Sequence, residues 1–150
     1  MTRRGFLKGL LGFILAGLFA SLYAFLIEPA LRLRVRTWAL SPKDWPRGKR
    51  LKIAIISDLH VGEPYVGLRR VRQVVRRVNA TGADVIVLLG DYAAGHHFIT
   101  KPVKIADVAP ILADLDAPQG VFAILGNHDW WDDLAAQQRG GGPNLYGETL

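Results

Sequence analysis

The sequence predicts an α/β domain preceded by one apolar helix, and three observations predict it. Three short runs rich in β-branched residues, LKIAIIS (Leu51 to Ser57), DVIVLLG (Asp84 to Gly90) and GVFAILG (Gly120 to Gly126), have the length and composition of strands buried on both faces. Helical patterns lie between them, so strand, helix, strand, helix and strand alternate along the chain. Ahead of all this, Gly9 to Ile27 runs for 19 residues without a charge.

That N-terminal run comes first in the chain. At about 1.5 Å per residue, a helix of this length spans roughly 28 Å, close to the hydrocarbon thickness of a bilayer. It has no polar face, which argues against a buried soluble helix and for a span. Before it stands TRRGFLK, Thr2 to Lys8, which resembles a twin-arginine export signal. The resemblance implies the twin-arginine translocase as a partner. A secretory apolar region is usually about 7 to 15 residues, and no clear A-x-A cleavage site follows this longer one, so a retained anchor in the inner or plasma membrane is expected. Arg3, Arg4 and Lys8 precede the span while Arg32, Arg34 and Arg36 follow it. The positive-inside rule is therefore close to a tie, and the signal breaks it toward an exported domain.

Residues 29–50 read as a strand and a linker. LRLRVRTW, Leu31 to Trp38, alternates apolar with basic residues as a half-exposed strand does, and Pro42, Pro46 and Gly48 punctuate the approach to the next element. Residues 1–52 hold 11 Lys/Arg against 2 Asp/Glu, whereas the remainder holds 8 against 11. A basic stripe beside an apolar run reads as membrane-proximal charge, and no nucleic-acid partner is expected. The chain has no cysteine, which excludes disulfides and thiolate metal sites.

After the first strand, GLRRVRQVVRRVN places Leu68, Val71, Val74, Val75 and Val78 on one helical face and arginines on the other. The Arg69 to Arg77 side is expected to be a solvated face, with anionic lipid as its alternative partner. A weaker helix, about Val103 to Leu115 with Pro110 inside it, leads to the third strand. In an open α/β sheet the active groups gather at the carboxyl ends of the strands. Here those ends read SDLH, GDY and GNHD.

Asp58 and His60 are two apart, which on an extended strand end directs both side chains to one side. Alone, such a pair is equally a turn feature. The same holds for Asp91 after Gly90. Asn127, His128 and Asp129 are a stronger signal, because burying all three at a strand end is costly unless each has a partner. Carboxylate, imidazole and amide together suit Mn, Fe or Zn better than Ca. His96 and His97, in a Gly-rich loop, are expected to be solvent-exposed, with a place at the substrate mouth as the other reading. Tyr92, Trp130 and Trp131 are expected to pack around the strand ends, and an aromatic wall beside a lipid or nucleotide is the alternative.

The series D-x-H, G-D and G-N-H-D, at Asp58 and His60, Gly90 and Asp91, and Gly126 to Asp129, resembles the calcineurin-like metallophosphoesterases over about residues 50 to 131. The flanking APQGVFAILGNHDWW is similar to the membrane-linked bacterial branch, which includes UDP-2,3-diacylglucosamine hydrolases and twin-arginine-exported phosphoesterases. The resemblance implies the N-terminal half of an α/β/β/α double-sheet sandwich, two divalent metal ions and a phosphoester substrate, including a lipid-linked one. It further implies that Asp58 and His60 bind one metal, Asp91 bridges, and Asn127 binds the second. His128 would act near the phosphate, as a transition-state stabiliser or general acid, with Asp129 orienting its imidazole.

The family pattern continues with a further His and a G-H-x-H segment. The histidines of this chain are His60, His96, His97 and His128. Residues 51–150 are therefore expected to be an incomplete domain with one apolar sheet face and bare edges exposed, inactive alone. A truncated form of a membrane-anchored enzyme is the first expectation. A short, non-catalytic, membrane-tethered binding module is the alternative.

Overall fold

The computed structural model describes residues 2–28, 32–95 and 97–150, in two compact units, Met1–Thr37 and Trp38–Leu150. In the first unit, helix α1 (Arg3–Leu22) continues into a wider π-type turn, Tyr23–Ile27. The Thr2 hydroxyl accepts the Gly5 N–H at 3.2 Å and so caps α1. No side chain of α1 is buried in the unit, and Arg3–Phe25 is long and apolar enough to cross a membrane. The strand expected over Leu31 to Trp38 does not form in the described part of that stretch: Leu31 lies outside the described residues, and Arg32 to Trp38 are exposed and join no strand. Alternation alone makes no strand, because the backbone groups need a neighbouring strand to bond to. Arg32 instead continues a local pattern, its N–H bonding to the Glu28 carbonyl and its guanidinium to the Glu28 carboxylate at 2.6 Å.

The second unit carries the sheet. Strands β1 (Ile53–Ile56), β3 (Val85–Leu88) and β5 (Val121–Ala123) are parallel in the order β1-β3-β5. The register pairs Ile55 with Val87 and Val87 with Phe122. A two-stranded antiparallel ribbon, β2 (Gly62–Glu63) with β4 (Lys101–Pro102), has no clear signal in the sequence. Helix α2 (Leu68–Asn79) buries Val71 and Val75 and leaves Arg69, Arg72, Arg76 and Arg77 exposed, as its period predicts. Helix α3 (Ile105–Leu112) is shorter than expected; it contains Pro110, which lacks an N–H to donate, yet it buries Ile105, Val108, Ile111 and Leu112.

Both helices contribute to one core with Ile56, Ile86 and Leu88, residues that share a face of the sheet. The opposite face is bare. Ile53 is 50%, Ile55 60%, Phe122 57% and Ile124 56% exposed. The reading of these strands as buried on both faces is thus corrected: helices cover one side of β1 and β3, and β5 is exposed along its length. The expected exposed apolar face is present, and its edges are β1 and β5.

Three short helices complete the unit: α4 (Asn127–Trp131), α5 (Leu134–Arg139) and α6 (Leu145–Thr149). The last two flank the glycine run Gly140 to Gly142. Polar side chains hold them. The Asp133 carboxylate accepts the Ala136 N–H at 3.0 Å and the Leu145 N–H at 2.9 Å, which keeps its carboxyl below the ordinary carboxylate value. Asn144 caps α6 through the Tyr146 N–H at 2.9 Å and donates to the Asp129 carbonyl at 3.2 Å. The Tyr146 hydroxyl donates to Asp132 at 2.8 Å; burial, then this carboxylate, pushes the phenol up.

Candidate metal centre

Parallel strands leave their carboxyl ends on one edge, and the chain continues there through Asp58–His60 from β1, Asp91 from β3 and Gly126–Asp129 from β5. The main chain stitches these exits together. Asp58 N–H donates to the Gly90 carbonyl at 3.2 Å, His60 N–H to the Asp91 carbonyl at 2.9 Å, and Val61 N–H to the Tyr92 carbonyl at 2.8 Å.

Asp58, His60 and Asp91 have φ of 54°, 42° and 56°, the positive-φ non-glycine residues among those described. The left-handed region costs an L residue roughly 1–2 kcal/mol. Such strain persists only where the surroundings impose it, and it gathers at functional sites. The expectation that Asp58 and His60 meet through strand alternation is corrected here: β1 has ended at Ile56, and left-handed backbone carries both residues. Their side chains nevertheless approach, with Asp58 Oδ1 3.8 Å from His60 Nε2. Asp91 Oδ2 lies 3.9 Å from the same nitrogen.

Asn127 and His128 stand in the first turn of α4, where the sequence suggests only a strand end. Helical geometry turns the His128 N–H back onto Asp91 Oδ1 at 2.9 Å. One Asp91 oxygen is thereby pinned, and the other is left toward His60. The His128 ring meets the His60 ring edge-on, with centroids 4.9 Å apart. Ligand atoms of His60, Asp91 and His128 all lie within 4.8 Å of one another. The His60 imidazole and the Asp91 carboxylate, with Asp58 beside them, form the mixed nitrogen and oxygen donor set that a first-row divalent ion or zinc takes, and the His128 imidazole adjoins it. The residues therefore fit a metal.

Asp129 has a different job from the one expected. It is fully buried, Oδ2 accepts the N–H groups of Asp91 and Gly126 at 2.8 Å each, and Oδ1 accepts the Tyr92 N–H at 2.9 Å. Among the described residues no bond joins its carboxylate to the His128 imidazole. The reason is the fold: three main-chain donors from two strand exits surround this carboxylate. It holds β3 to β5 rather than orienting the ring.

Two glycines permit that closeness. Gly90 has φ of 90°, and a Cβ there would collide with the Gly126 nitrogen; a Cβ on Gly126 would collide with the Asp91 carboxylate. Tyr92 is buried as expected and donates to the Ile124 carbonyl at 2.9 Å. Burial, then the Asp129 charge, pushes its phenol up to about 12. Trp131 is more than the packing residue expected of it: its ring contacts His128 edge-on at 4.7 Å between centroids while 57% of the residue is exposed. His97 is exposed, as expected, and His96 lies outside the described residues.

Residues 51–149 match the sequence profile of the calcineurin-like phosphoesterases. The chain is similar to an uncharacterized metallophosphoesterase of Aquifex aeolicus, 35% identical over 68% of this chain and 37% of that protein. It is also similar to the UDP-2,3-diacylglucosamine pyrophosphatase LpxG of Chlamydia muridarum, 34% identical over 69% of this chain and 30% of that one. A third relative is a transmembrane protein with a metallophosphoesterase domain from Bos taurus, 34% identical over 57% of this chain and 18% of that one. The chain thus spans less than half the length of these relatives. No solved structure matches it significantly.

Proposed function

The chain belongs to the calcineurin-like phosphoesterase family, and from that premise we propose that it is the N-terminal part of a membrane-anchored, metal-dependent enzyme cleaving a phosphodiester or pyrophosphate bond. The observation that carries this reading is the convergence of His60, Asp91 and His128 on backbone strained at Asp58, His60 and Asp91. On this reading Asp58 and His60 would hold one divalent ion, Asn127 would belong to a second, and Asp91 would serve both. Divalent ions held here supply positive charge to a phosphoryl group and acidify a water. His128, anchored by its own N–H on Asp91, presents its imidazole beside His60 to the phosphate. Asp129 positions Asp91 and Tyr92 through their N–H groups.

The LpxG relatives support a lipid-linked pyrophosphate such as UDP-2,3-diacylglucosamine as substrate. The apolar span and the transmembrane relative support a single N-terminal anchor in the inner or plasma membrane. Residues 1–28 serve as signal and anchor, 29–50 as linker and 51–150 as the catalytic-domain segment. The TRRGFLK stretch supports export through the twin-arginine translocase, with the domain outside.

Mn²⁺ titration of the full chain in micelles, read by electron paramagnetic resonance, tests the metal reading. Binding is expected and should weaken at least tenfold in Asp91→Ala and His60→Ala while surviving in His97→Ala. Equal Mn²⁺ affinity in Asp91→Ala would sink it. A fusion of a reporter after Leu150 tests the side of the membrane: a signal on the cytoplasmic face rejects export.

A further inference from the structure

Trp131 belongs to two places at once. Its ring packs at a steep angle on the His128 ring, with centroids 4.7 Å apart, and Trp131, with Trp130, Ala136, Gln137, Gly140 and Gly141, lines an open cleft of about 420 Å³. The cleft therefore shares Trp131 with the contact to His128. Its size falls in the range of small-molecule sites. Its lining mixes two kinds of group: Trp130 and Trp131 contribute aromatic rings, Gln137, an exposed residue, carries an amide donor and acceptor, and Gly140 and Gly141, with φ of 70° and 141°, carry no side chains. A flexible alkyl chain needs none of the polar edge. A planar heteroaromatic ring uses both, stacking on indole and bonding through its rim.

We infer that this cleft is the subsite for the heterocyclic ring of a nucleotide-type phosphoester, placing the base against Trp131 and its phosphate at the His60–Asp91–His128 cluster. This rests on the phosphoesterase reading and adds which end of the substrate is recognised. It also divides the roles on α4: His128 faces phosphate, and Trp131, three residues on, faces the group that phosphate carries. Such stacking contributes about a tenfold gain in affinity.

The test is calorimetric titration of the full chain in nanodiscs with uridine monophosphate, ribose 5-phosphate and hexyl phosphate, each with and without Mn²⁺. Uridine monophosphate should bind about tenfold more tightly than ribose 5-phosphate. Trp131→Ala should erase that preference, Trp131→Phe should keep most of it, and Gln137→Ala should reduce it with ribose 5-phosphate binding unchanged. Equal affinities for uridine monophosphate and ribose 5-phosphate, tighter binding of hexyl phosphate, or a preference untouched in both Trp131→Ala and Gln137→Ala would each overturn the inference. A ring preference that persists where Mn²⁺ does not bind supports the cleft while rejecting the metal reading. Mn²⁺ binding without a ring preference does the reverse.

Discussion

Asp129 accepts three main-chain N–H groups while fully buried, so deleting its carboxylate strands three donors away from water. Each stranded donor costs about 1–3 kcal/mol, so Asp129→Ala is expected to lower the unfolding free energy by roughly 3 kcal/mol or more, measured by urea denaturation in micelles. A loss below about 1 kcal/mol would mean that these bonds carry little. Tyr92 offers a second residue-level prediction. Its phenol bonds the Ile124 carbonyl, and Tyr92→Phe should cost about 1 kcal/mol. Because the folded phenol is pushed up to about 12 from 10, the folded state favours the neutral form. That contribution is complete below pH 10 and disappears as pH rises toward 12. Alkaline melts of the wild type should therefore fall more steeply across that window than those of Tyr92→Phe. At this scale the residue types of the site were legible in the sequence, but the role of Asp129 was not. Its three donors lie in the backbone of Asp91, Tyr92 and Gly126, and main-chain groups have no sequence signature.

At the scale of elements, the three parallel strands were legible because short apolar runs rich in β-branched residues are a local signal, and α2 because its valines repeat with the helical period. What escaped was where each element stops. GNHD reads as the end of a strand, yet Asn127 to Trp131 form a helix, and that helix brings the His128 N–H onto Asp91. The strand exits also approach so closely that only glycine fits at Gly90, with φ of 90° and the Gly126 main chain against it. Gly90→Ala is expected to push the β3 and β5 exits apart. It should weaken Mn²⁺ binding tenfold or more in resonance titrations, whereas Gly82→Ala, a positive-φ control with open space around it, should not.

Across the second unit, helices cover one face of β1 and β3 and leave the opposite, apolar face of the sheet exposed. An exposed apolar sheet face with open edges favours association. The chain is expected to bind a hydrophobic dye and to self-associate, and Ile55→Lys with Phe122→Lys should reduce both while preserving Mn²⁺ affinity, as read by light scattering and resonance. Unchanged association in the double variant would assign it to another surface, such as the apolar α1. The sequence pattern anticipates this face only through a resemblance to a double-sheet family. Taken locally, β1 and β5 read as buried on both sides, because a strand's residues do not say how many layers surround it.

By itself the sequence determined the order of the three parallel strands and the two helices between them, the apolar span and the residue types that stand at the strand exits. These follow from periods of two and 3.6 residues and from side-chain chemistry, which are properties of neighbouring positions. The tertiary structure alone decided that Asp58, His60 and Asp91 sit on left-handed backbone, that Asp129 clamps rather than orients, and that Trp131 borders both a histidine and a cleft. Those outcomes depend on contacts such as Asp129 with Tyr92, 37 residues apart, and on surroundings that hold a strained φ in place.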